Sequence, residues 1–95
     1  MKKNNKFIRT LVVNAQHGNN AAFEQLYQMN VDRIYALLLR LTAHKTYAEN
    51  ITQRVFVKAW QKLALVREDF AFASWLVGLT IHDFLNDWPR VSSNE

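Results

Sequence analysis

Apolar residues recur at spacings of three and four positions along almost the whole chain, while strict alternation holds nowhere for long. The first pattern is typical of amphipathic α-helices and the second of half-buried strands, so the sequence predicts an all-α fold. The helical stretches lie at about 7–17, 21–42, 46–63 and 70–88, and the connections between them are short. We therefore expect a compact bundle of about four helices.

The ends of the first two helices carry clear sequence signals. Gly18 is placed to end the first helix in the left-handed conformation, and Asn19 or Asn20 is placed to cap the second. The apolar stripe of the second helix is interrupted only by Asn30. The residues expected to be buried in these helices are Ile8, Leu11, Val12, Ala15, Phe23, Leu26, Tyr27, Ile34, Leu37, Leu38 and Leu41. The second helix is therefore expected to be the longest and most central.

The third and fourth helices are bounded by capping residues and a proline. Thr46, with Glu49 three positions later, predicts a capping box at the start of the third helix. A connector of about 64–68 leads to Asp69, the expected N-cap of a fourth helix that stops before Pro89. The fourth helix is expected to run through Phe72, Trp75, Leu76, Leu79 and Asp83. The residues expected to be buried in the third helix are Ala48, Ile51, Val55, Phe56, Ala59, Trp60 and Leu63.

The 95 residues include no cysteine, one proline and two glycines, and 49% of them are hydrophobic. This composition fits a single domain spanning 1–95, with its core at about 7–90. The absence of cysteine excludes disulfides, thiolate metal sites and thiol catalysis, and it fits a reducing compartment. No segment has the pattern of a signal peptide or a membrane span. We therefore expect a soluble, cytoplasmic protein that does not use a membrane.

Catalytic and metal-binding patterns are missing from the sequence. His17, His44 and His82 have no spacing that places two of them on one helical face with a carboxylate. His82 precedes Asp83, but adjacent helical side chains point about 100° apart and cannot act as a dyad. No glycine-rich phosphate loop occurs. We expect neither enzymatic activity nor a bound metal or cofactor.

Positive charge is the feature that points to a partner. Twelve Lys and Arg residues against eight Asp and Glu give a net charge of +4, which favours an anionic partner such as nucleic acid. Arg54, Lys58 and Lys62 repeat on one face of the third helix, where they either track a phosphate backbone or form an ordinary solvated face. Trp75, after a connector that carries Arg67, either stacks on an unpaired base or packs in the core. Charge and periodicity leave both pairs of alternatives open.

Four strings occur in a defined order along the chain. They are LVVNAQHGNNAAFEQLY at 11–27, AENITQRVFVKAW at 48–60, Val66-Arg67 in the connector, and FASWL at 72–76. Together, they resemble the second conserved region of bacterial RNA polymerase sigma factors, particularly the extracytoplasmic-function group. The resemblance covers about 11–90 and implies the helical fold of that region.

The resemblance implies a transcription initiation domain with no catalysis of its own. Its third helix docks on the coiled coil of the largest subunit of RNA polymerase core, and its fourth helix and connector engage the minus-ten promoter element. Promoter opening flips out a base of the non-template strand, which aromatic and basic residues then hold. By position, the polymerase contacts are Glu49, Asn50, Gln53 and Arg54. The DNA contacts are Lys58, Lys62, Arg67, Ser74, Trp75 and His82.

The chain departs from the family pattern at several polar positions. Family members usually carry acidic residues in place of Asn50 and Arg54, and those acids meet arginines on the polymerase. Losing such a buried charge pair costs about 2–5 kcal/mol, which lowers the expected affinity of this face for polymerase. If the chain does bind polymerase core, Arg54 needs a compensating acidic partner. The family has basic residues in place of Gly78 and Ile81, and an asparagine in place of His82. The docking face and the promoter contacts are therefore both expected to be altered.

Three functional hypotheses follow. The leading one is a sigma-factor domain that binds polymerase core and recognises or melts the minus-ten element. The alternative is a divergent sigma-like interaction module, bound by an anti-sigma protein or another partner, that does not open promoters. A generic nucleic-acid-binding bundle rests on charge alone. The helix-turn-helix domain of the family is absent from these residues, which fits either a piece of a longer factor or a stand-alone protein.

Overall fold

Four α-helices and one 3-10 turn make up most of the chain that the computed structural model describes, residues 2–67 and 71–93. The helices are α1 (Lys2–Gln16), α2 (Asn20–Thr42), α3 (Lys45–Lys62) and α4 (Phe72–Ser93), and the turn is Leu63–Leu65. These residues include no strand, so the predicted all-α fold is confirmed. None of the helices within them is both long and apolar enough to cross a membrane.

The turn between α1 and α2 follows the predicted signals. Gly18 has a positive φ of 93°, in the region where glycine carries no steric penalty. Asn19 is the N-cap of α2, and its side-chain oxygen accepts a hydrogen bond from the Ala22 amide at 3.0 Å. α1 begins at Lys2 rather than at Phe7. Gly18 and Asn19 together fix the direction in which the chain leaves α1.

The start of α3 differs from the predicted one. The helix begins at Lys45, and its N-cap is His44, whose backbone is extended with φ −128° and ψ 100°. His44 Nδ1 accepts a hydrogen bond from the Tyr47 amide at 3.2 Å. An N-cap must lie outside the helix and offer an acceptor to its first turn, and His44 meets both conditions. The predicted capping box of Thr46 and Glu49 is therefore wrong, because Thr46 already lies within the helix.

The end of α4 also differs from the predicted one. The helix continues through Pro89 to Ser93, so the predicted stop before the proline is wrong. A proline lacks one amide donor and crowds the carbonyl four residues earlier, which bends a helix without having to end it. At the start of α4, the Trp75 amide donates to the Ala71 carbonyl at 3.1 Å. Asp69, the expected N-cap, lies outside the described residues.

α2 lies at the centre of the bundle, as its length and apolar stripe predict. Leu26, Ile34 and Leu38 are almost fully buried. Asn30 is buried among them, and its Nδ2 donates to the Leu26 carbonyl at 2.8 Å, which gives this polar group a partner inside the core. The other helices contribute Leu11, Val12, Ala15, Ala48, Ile51, Val55, Phe56, Ala59, Phe72 and Leu76.

Trp60 and Leu41 are exceptions to the predicted buried faces. Trp60 is 39% exposed because it lies at the edge of the α3 stripe. Its ring makes a T-shaped contact with Phe23, with ring centroids 4.9 Å apart. Leu41, in the last turn of α2, is also exposed. The period of a sequence pattern identifies which face of a helix is buried. How far that buried face extends around and along the helix depends on the neighbouring helices.

A side chain of α1 holds the connector between α3 and α4. Gln16 Nε2 donates hydrogen bonds to the carbonyls of Leu63 and Val66, each at 3.0 Å. Leu63 and Val66 are buried, and Arg67, the next residue, is exposed. Gln16 thus ties the connector to the end of α1 and fixes the place where the chain turns toward α4.

Candidate functional site

α3 and α4 run antiparallel to each other on either side of the connector. Each helix contributes to their shared surface a row of residues four positions apart, which places those residues on one helical face. The α3 row is Arg54, Lys58 and Lys62, and the α4 row is Trp75, Leu79, Asp83 and Asp87. Near the connector, the rows border an open groove, and farther along they meet in ion pairs.

The connector groove is an open cavity of about 600 Å³ between the end of α3 and the first turns of α4. It is lined by Lys62, Leu65, Ala71, Ser74, Trp75, Gly78, Leu79 and His82. Its walls are mostly apolar, and Leu65 in the 3-10 turn is 72% exposed. A concave apolar surface with a few polar groups is typical of a site for a small ligand or for one part of a larger one.

Trp75 forms an aromatic wall of the connector groove. Its ring packs against Phe72, with centroids 5.7 Å apart and planes tilted by 41°, and Phe72 is almost fully buried. Trp75 is itself half-buried. It therefore packs on the core, as one sequence-based alternative predicted, and borders a cavity, as the other requires. Because Phe72 restricts the indole, stacking of a ligand on Trp75 costs less side-chain conformational entropy.

Four of the six residues predicted to contact DNA line this groove. They are Lys62, Ser74, Trp75 and His82. Of the other two, Lys58 pairs with Asp83 and Arg67 is exposed on the connector. The structure thus gathers most of the predicted set around Trp75 rather than along the basic stripe of α3.

The charge cluster consists of Tyr47, Arg54 and Lys58 of α3 with Asp83 and Asp87 of α4. Arg54 Nε donates to Asp83 Oδ2 at 3.0 Å, and Arg54 Nη2 lies 3.5 Å from Asp87 Oδ1. Lys58 Nζ pairs with Asp83 Oδ1, and Tyr47 Oη donates to Asp87 Oδ2 at 2.8 Å. The Asp83 side chain is 5% exposed, whereas those of Arg54 and Lys58 are 40% and 39% exposed. Two cations face two carboxylates, so the cluster is electrically neutral.

The surroundings of the charge cluster shift three pKa values. Burial raises the pKa of Asp83, but the hydrogen bonds and positive charges of Lys58 and Arg54 outweigh it and hold that pKa below its ordinary value. For Arg54, burial lowers the pKa, and the hydrogen bond and charge of Asp83 more than reverse that effect. Burial, followed by the hydrogen bond to Asp87, raises the pKa of Tyr47. At neutral pH Asp83 and Arg54 are therefore charged and Tyr47 keeps its proton.

The basic stripe predicted on α3 is not one continuous solvated surface. Arg54 and Lys58 are engaged by Asp83 of α4, and of the three stripe residues Lys62 lines the connector groove. The compensating acidic partner that the sequence requires for Arg54 is present within this chain. Lys58 correspondingly contributes less free positive charge to a DNA flank than the sequence implies.

The residues predicted to contact polymerase do not share one environment. Glu49 and Asn50 are exposed, Gln53 Nε2 donates to Tyr27 Oη of α2 at 3.0 Å, and Arg54 reaches α4. Gln53 also lines a second apolar cavity of about 330 Å³, here named the α2–α3 groove. Its other lining residues are Phe23, Glu24, Tyr27, Phe56, Val57 and Trp60.

The three histidines lie in separate surroundings. His17 Nδ1 is 2.8 Å from the Val13 carbonyl, His44 caps α3, and His82 lines the connector groove. His82 Nδ1 also lies 3.4 Å from Asn86 Nδ2. Among residues 2–67 and 71–93, no group of three His, Asp or Glu side chains is placed to hold a metal. His82 therefore serves the groove as a polar edge.

Sequence patterns did not identify Asp83 and Asp87 as partners of the α3 cations. A signal was present, because Asp83 and Asp87 follow Trp75 and Leu79 at the same four-residue spacing that separates Arg54 from Lys58. Gly78 also carried a signal, because glycine is unfavourable inside a helix, but nothing in the sequence placed it at a groove. The groove depends on the distance between two helices, which no pattern within one helix contains.

Comparison with known proteins gives matches over most of the chain. The family model described as sigma-70 region 2 matches residues 26–92. The RNA polymerase sigma-H factor of Pseudomonas aeruginosa is 32% identical over 76 residues, and the RNA polymerase sigma factor YlaC of Bacillus subtilis is 35% identical over 69. The probable RNA polymerase sigma factor RfaY of Xanthomonas campestris pv. campestris is 29% identical over 76 residues.

These alignments cover 80%, 73% and 80% of this chain, in the order given, but only 39%, 39% and 19% of the three relatives. The chain therefore spans less than half the length of each. The extracytoplasmic-function group is compatible with these matches. No solved structure shows significant similarity to the chain.

Proposed function

The chain belongs to the sigma-70 region 2 family, and on that premise we propose that it binds RNA polymerase core and recognises and melts the minus-ten promoter element. It acts in transcription initiation, in the cytoplasm. Its part in strand opening makes or breaks no covalent bond, because an extruded base is held by stacking and hydrogen bonds.

The connector groove is the observation that carries the DNA part of the proposal. Trp75 supplies an aromatic wall, Lys62 a positive charge, and Ser74 and His82 polar edges around one cavity. Unpaired bases stack on aromatic side chains with little regard to sequence, and a lysine attracts the adjoining phosphates. A base that is paired inside a duplex cannot reach such a wall. The groove therefore favours single-stranded DNA over duplex DNA.

The polymerase part of the proposal rests on the exposed side of α3. Glu49 and Asn50 are exposed there, and Gln53 borders the α2–α3 groove, whose Val57 is 57% exposed. Exposed apolar residues beside polar ones are typical of protein-binding surfaces. Arg54 adds no unpaired positive charge, because the carboxylates of α4 neutralise it. The conflict with polymerase arginines that the sequence predicts is thereby reduced.

A second candidate function is that of an interaction module, bound by an anti-sigma protein, that does not open promoters. The observation that favours it is the internal pairing of Arg54 with Asp83 and Asp87. Because Arg54 is engaged within the chain and Asn50 is uncharged, α3 has no acidic group at the two positions where the sigma factors that this chain resembles present one to polymerase. Such a module would bind its partner without preferring single-stranded DNA.

Binding of a fluorescent minus-ten oligonucleotide tests the DNA part. The wild-type chain is expected to bind the single strand more tightly than the same sequence as a duplex, measured by fluorescence anisotropy. Trp75→Ala should weaken single-strand binding about 5- to 150-fold, which corresponds to the loss of one stacked base. Trp60→Ala is the matched control, since that indole lies in the α2–α3 groove. Equal affinity for both DNA forms contradicts the proposal.

Gel filtration with purified RNA polymerase core tests the polymerase part. The chain should co-elute with the core enzyme and be displaced by a full-length sigma factor. Val57→Lys should weaken co-elution, because it places a charge on an exposed apolar surface, while Trp75→Ala should not. Absence of co-elution for the wild-type chain contradicts the polymerase part and favours the interaction module.

A further inference from the structure

Gly78 lies in the middle of the connector groove, one helical turn from Ser74 and one turn from His82. The three residues form a row along the face of α4 that borders the cavity. Within a helix, glycine is the least favourable residue apart from proline, because its backbone loses the most conformational freedom. A glycine at this position therefore calls for a reason.

Neither the backbone nor the packing of α4 supplies that reason. Gly18 is the glycine with a positive φ, so Gly78 does not need the freedom that only glycine has. A Cβ atom placed on Gly78 meets no atom within 4 Å. The fold would accept a side chain here. What the glycine provides is a stretch of bare helix surface inside the groove, next to Trp75.

We propose that Gly78 determines what the connector groove accepts: its bare surface lets an unpaired nucleobase lie against α4 with its ring on Trp75. This inference rests on the proposed function and adds the residue that sets the fit of the ligand. Any side chain at Gly78 would occupy the space that the ring needs. Gly78 is thus a specificity-determining residue because it has no side chain to fill the space beside Trp75.

The lining of the groove favours a nucleobase over an apolar side chain of a partner protein. Trp75 offers a flat face, which suits a planar ring. Ser74 and His82 offer polar groups at the edges, where the ring atoms of a base carry hydrogen-bond donors and acceptors. Lys62 adds a cation that a nucleotide phosphate can meet and an apolar side chain cannot.

The variants Gly78→Ala and Gly78→Leu test the inference, with affinity and thermal stability measured on the same samples. Alanine and leucine are both strong helix formers, so the thermal midpoint should stay the same or rise in both. Single-strand affinity should fall about 3-fold in Gly78→Ala and more than about 10-fold in Gly78→Leu, within the range for losing a stacked base. Ala36→Leu places the same side chain at an exposed position of α2, adding three carbon atoms rather than four, and should change neither affinity nor midpoint.

Unchanged affinity in both Gly78 variants, with the wild-type chain still preferring single strands, overturns the inference and leaves the proposed function standing. A lowered midpoint in Gly78→Ala also overturns it, because the glycine would then be required by the fold. A wild-type chain that binds duplex and single strand equally refutes the proposed function and this inference with it.

Discussion

The connector groove and the charge cluster are built by the same two helices, about one turn apart, yet they differ in physical character. In the cluster, each carboxylate has a cationic partner, and Asp83 is almost completely buried. In the groove, Lys62 and His82 border an open cavity of about 600 Å³ whose lining residues include no carboxylate among those described. One region is neutral and closed, and the other is positive and open.

The difference shows that the residues facing a basic stripe decide what the stripe does. Arg54, Lys58 and Lys62 repeat along one face of α3, but the facing row of α4 changes from carboxylates to apolar side chains. Where Asp83 and Asp87 face the stripe, its cations hold the two helices together. Where Trp75 and its neighbours face it, the cation borders a cavity in which a ligand can bind.

Reversing the charge of Arg54 should disrupt the charge cluster and cause the largest loss of stability. Arg54→Glu places a third carboxylate beside Asp83 and Asp87 and leaves Lys58 as the one remaining cation of the cluster. Breaking a fully buried pair costs about 3–5 kcal/mol, and the partial exposure of Arg54 reduces the expected loss to about 2–3 kcal/mol. Urea unfolding measures this change in the free energy of unfolding.

Two further variants test whether the loss of stability in Arg54→Glu comes from the broken ion pairs. Asn50→Asp, an exposed change one turn earlier on α3, should alter stability by no more than about 0.5 kcal/mol. Combining Arg54→Glu with Asp83→Arg brings opposite charges together again and should recover part of the loss. If Arg54→Glu costs no more than Asn50→Asp, the charge cluster does not hold α3 against α4.

Removing the charge of Asp83 should lower stability less than Arg54→Glu does, and it should also change DNA affinity at the neighbouring groove. Asp83→Asn is expected to cost about 1–2 kcal/mol, because Arg54 keeps Asp87 while Lys58 is exposed enough to be hydrated. The released Lys58 lies one turn from the groove, so single-strand affinity should rise modestly. Asp32→Asn, on the exposed side of α2, is the control for both measurements. A fall in affinity would mean that the groove needs the intact cluster.

Acid should weaken the charge cluster through protonation of Asp83. The pKa of Asp83 is lower in the folded chain than its ordinary value near 4, so its contribution to stability is complete above about pH 4. That contribution is lost as the pH falls through the folded pKa. The thermal midpoint of the wild-type chain should therefore drop more steeply below about pH 4 than that of Asp83→Asn. Parallel curves for the two proteins would contradict the pairing.

The helices and the first inter-helix turn were predictable from the sequence, because the physical causes lie within a few residues of each other. Gly18 and Asn19 act on their own backbone neighbourhood, and the apolar period of α2 reports the face that is buried. The cap at His44 was missed because a histidine acceptor has no strong preference for that position. The predicted end of α4 before Pro89 was wrong because a proline can bend a helix that continues.

The candidate site was predictable only in part. Trp75 and Lys62 carry residue types that suit DNA, and the resemblance placed them correctly on two neighbouring helices. Their convergence on one groove requires the angle and distance between α3 and α4. The same holds for the pairing of Arg54 with Asp83, which links positions 29 residues apart in the chain.

Nuclear magnetic resonance can show whether single-stranded DNA binds at the connector groove. In a titration of the labelled chain with single-stranded minus-ten oligonucleotide, we expect the largest chemical-shift changes at the Trp75 indole and at the amides of Ser74, Gly78 and His82. The signals of Tyr47 and other residues around the charge cluster should move little. Two results would contradict a binding role for the connector groove and a structural role for the charge cluster. They are largest changes at the cluster, or small changes spread evenly over the chain.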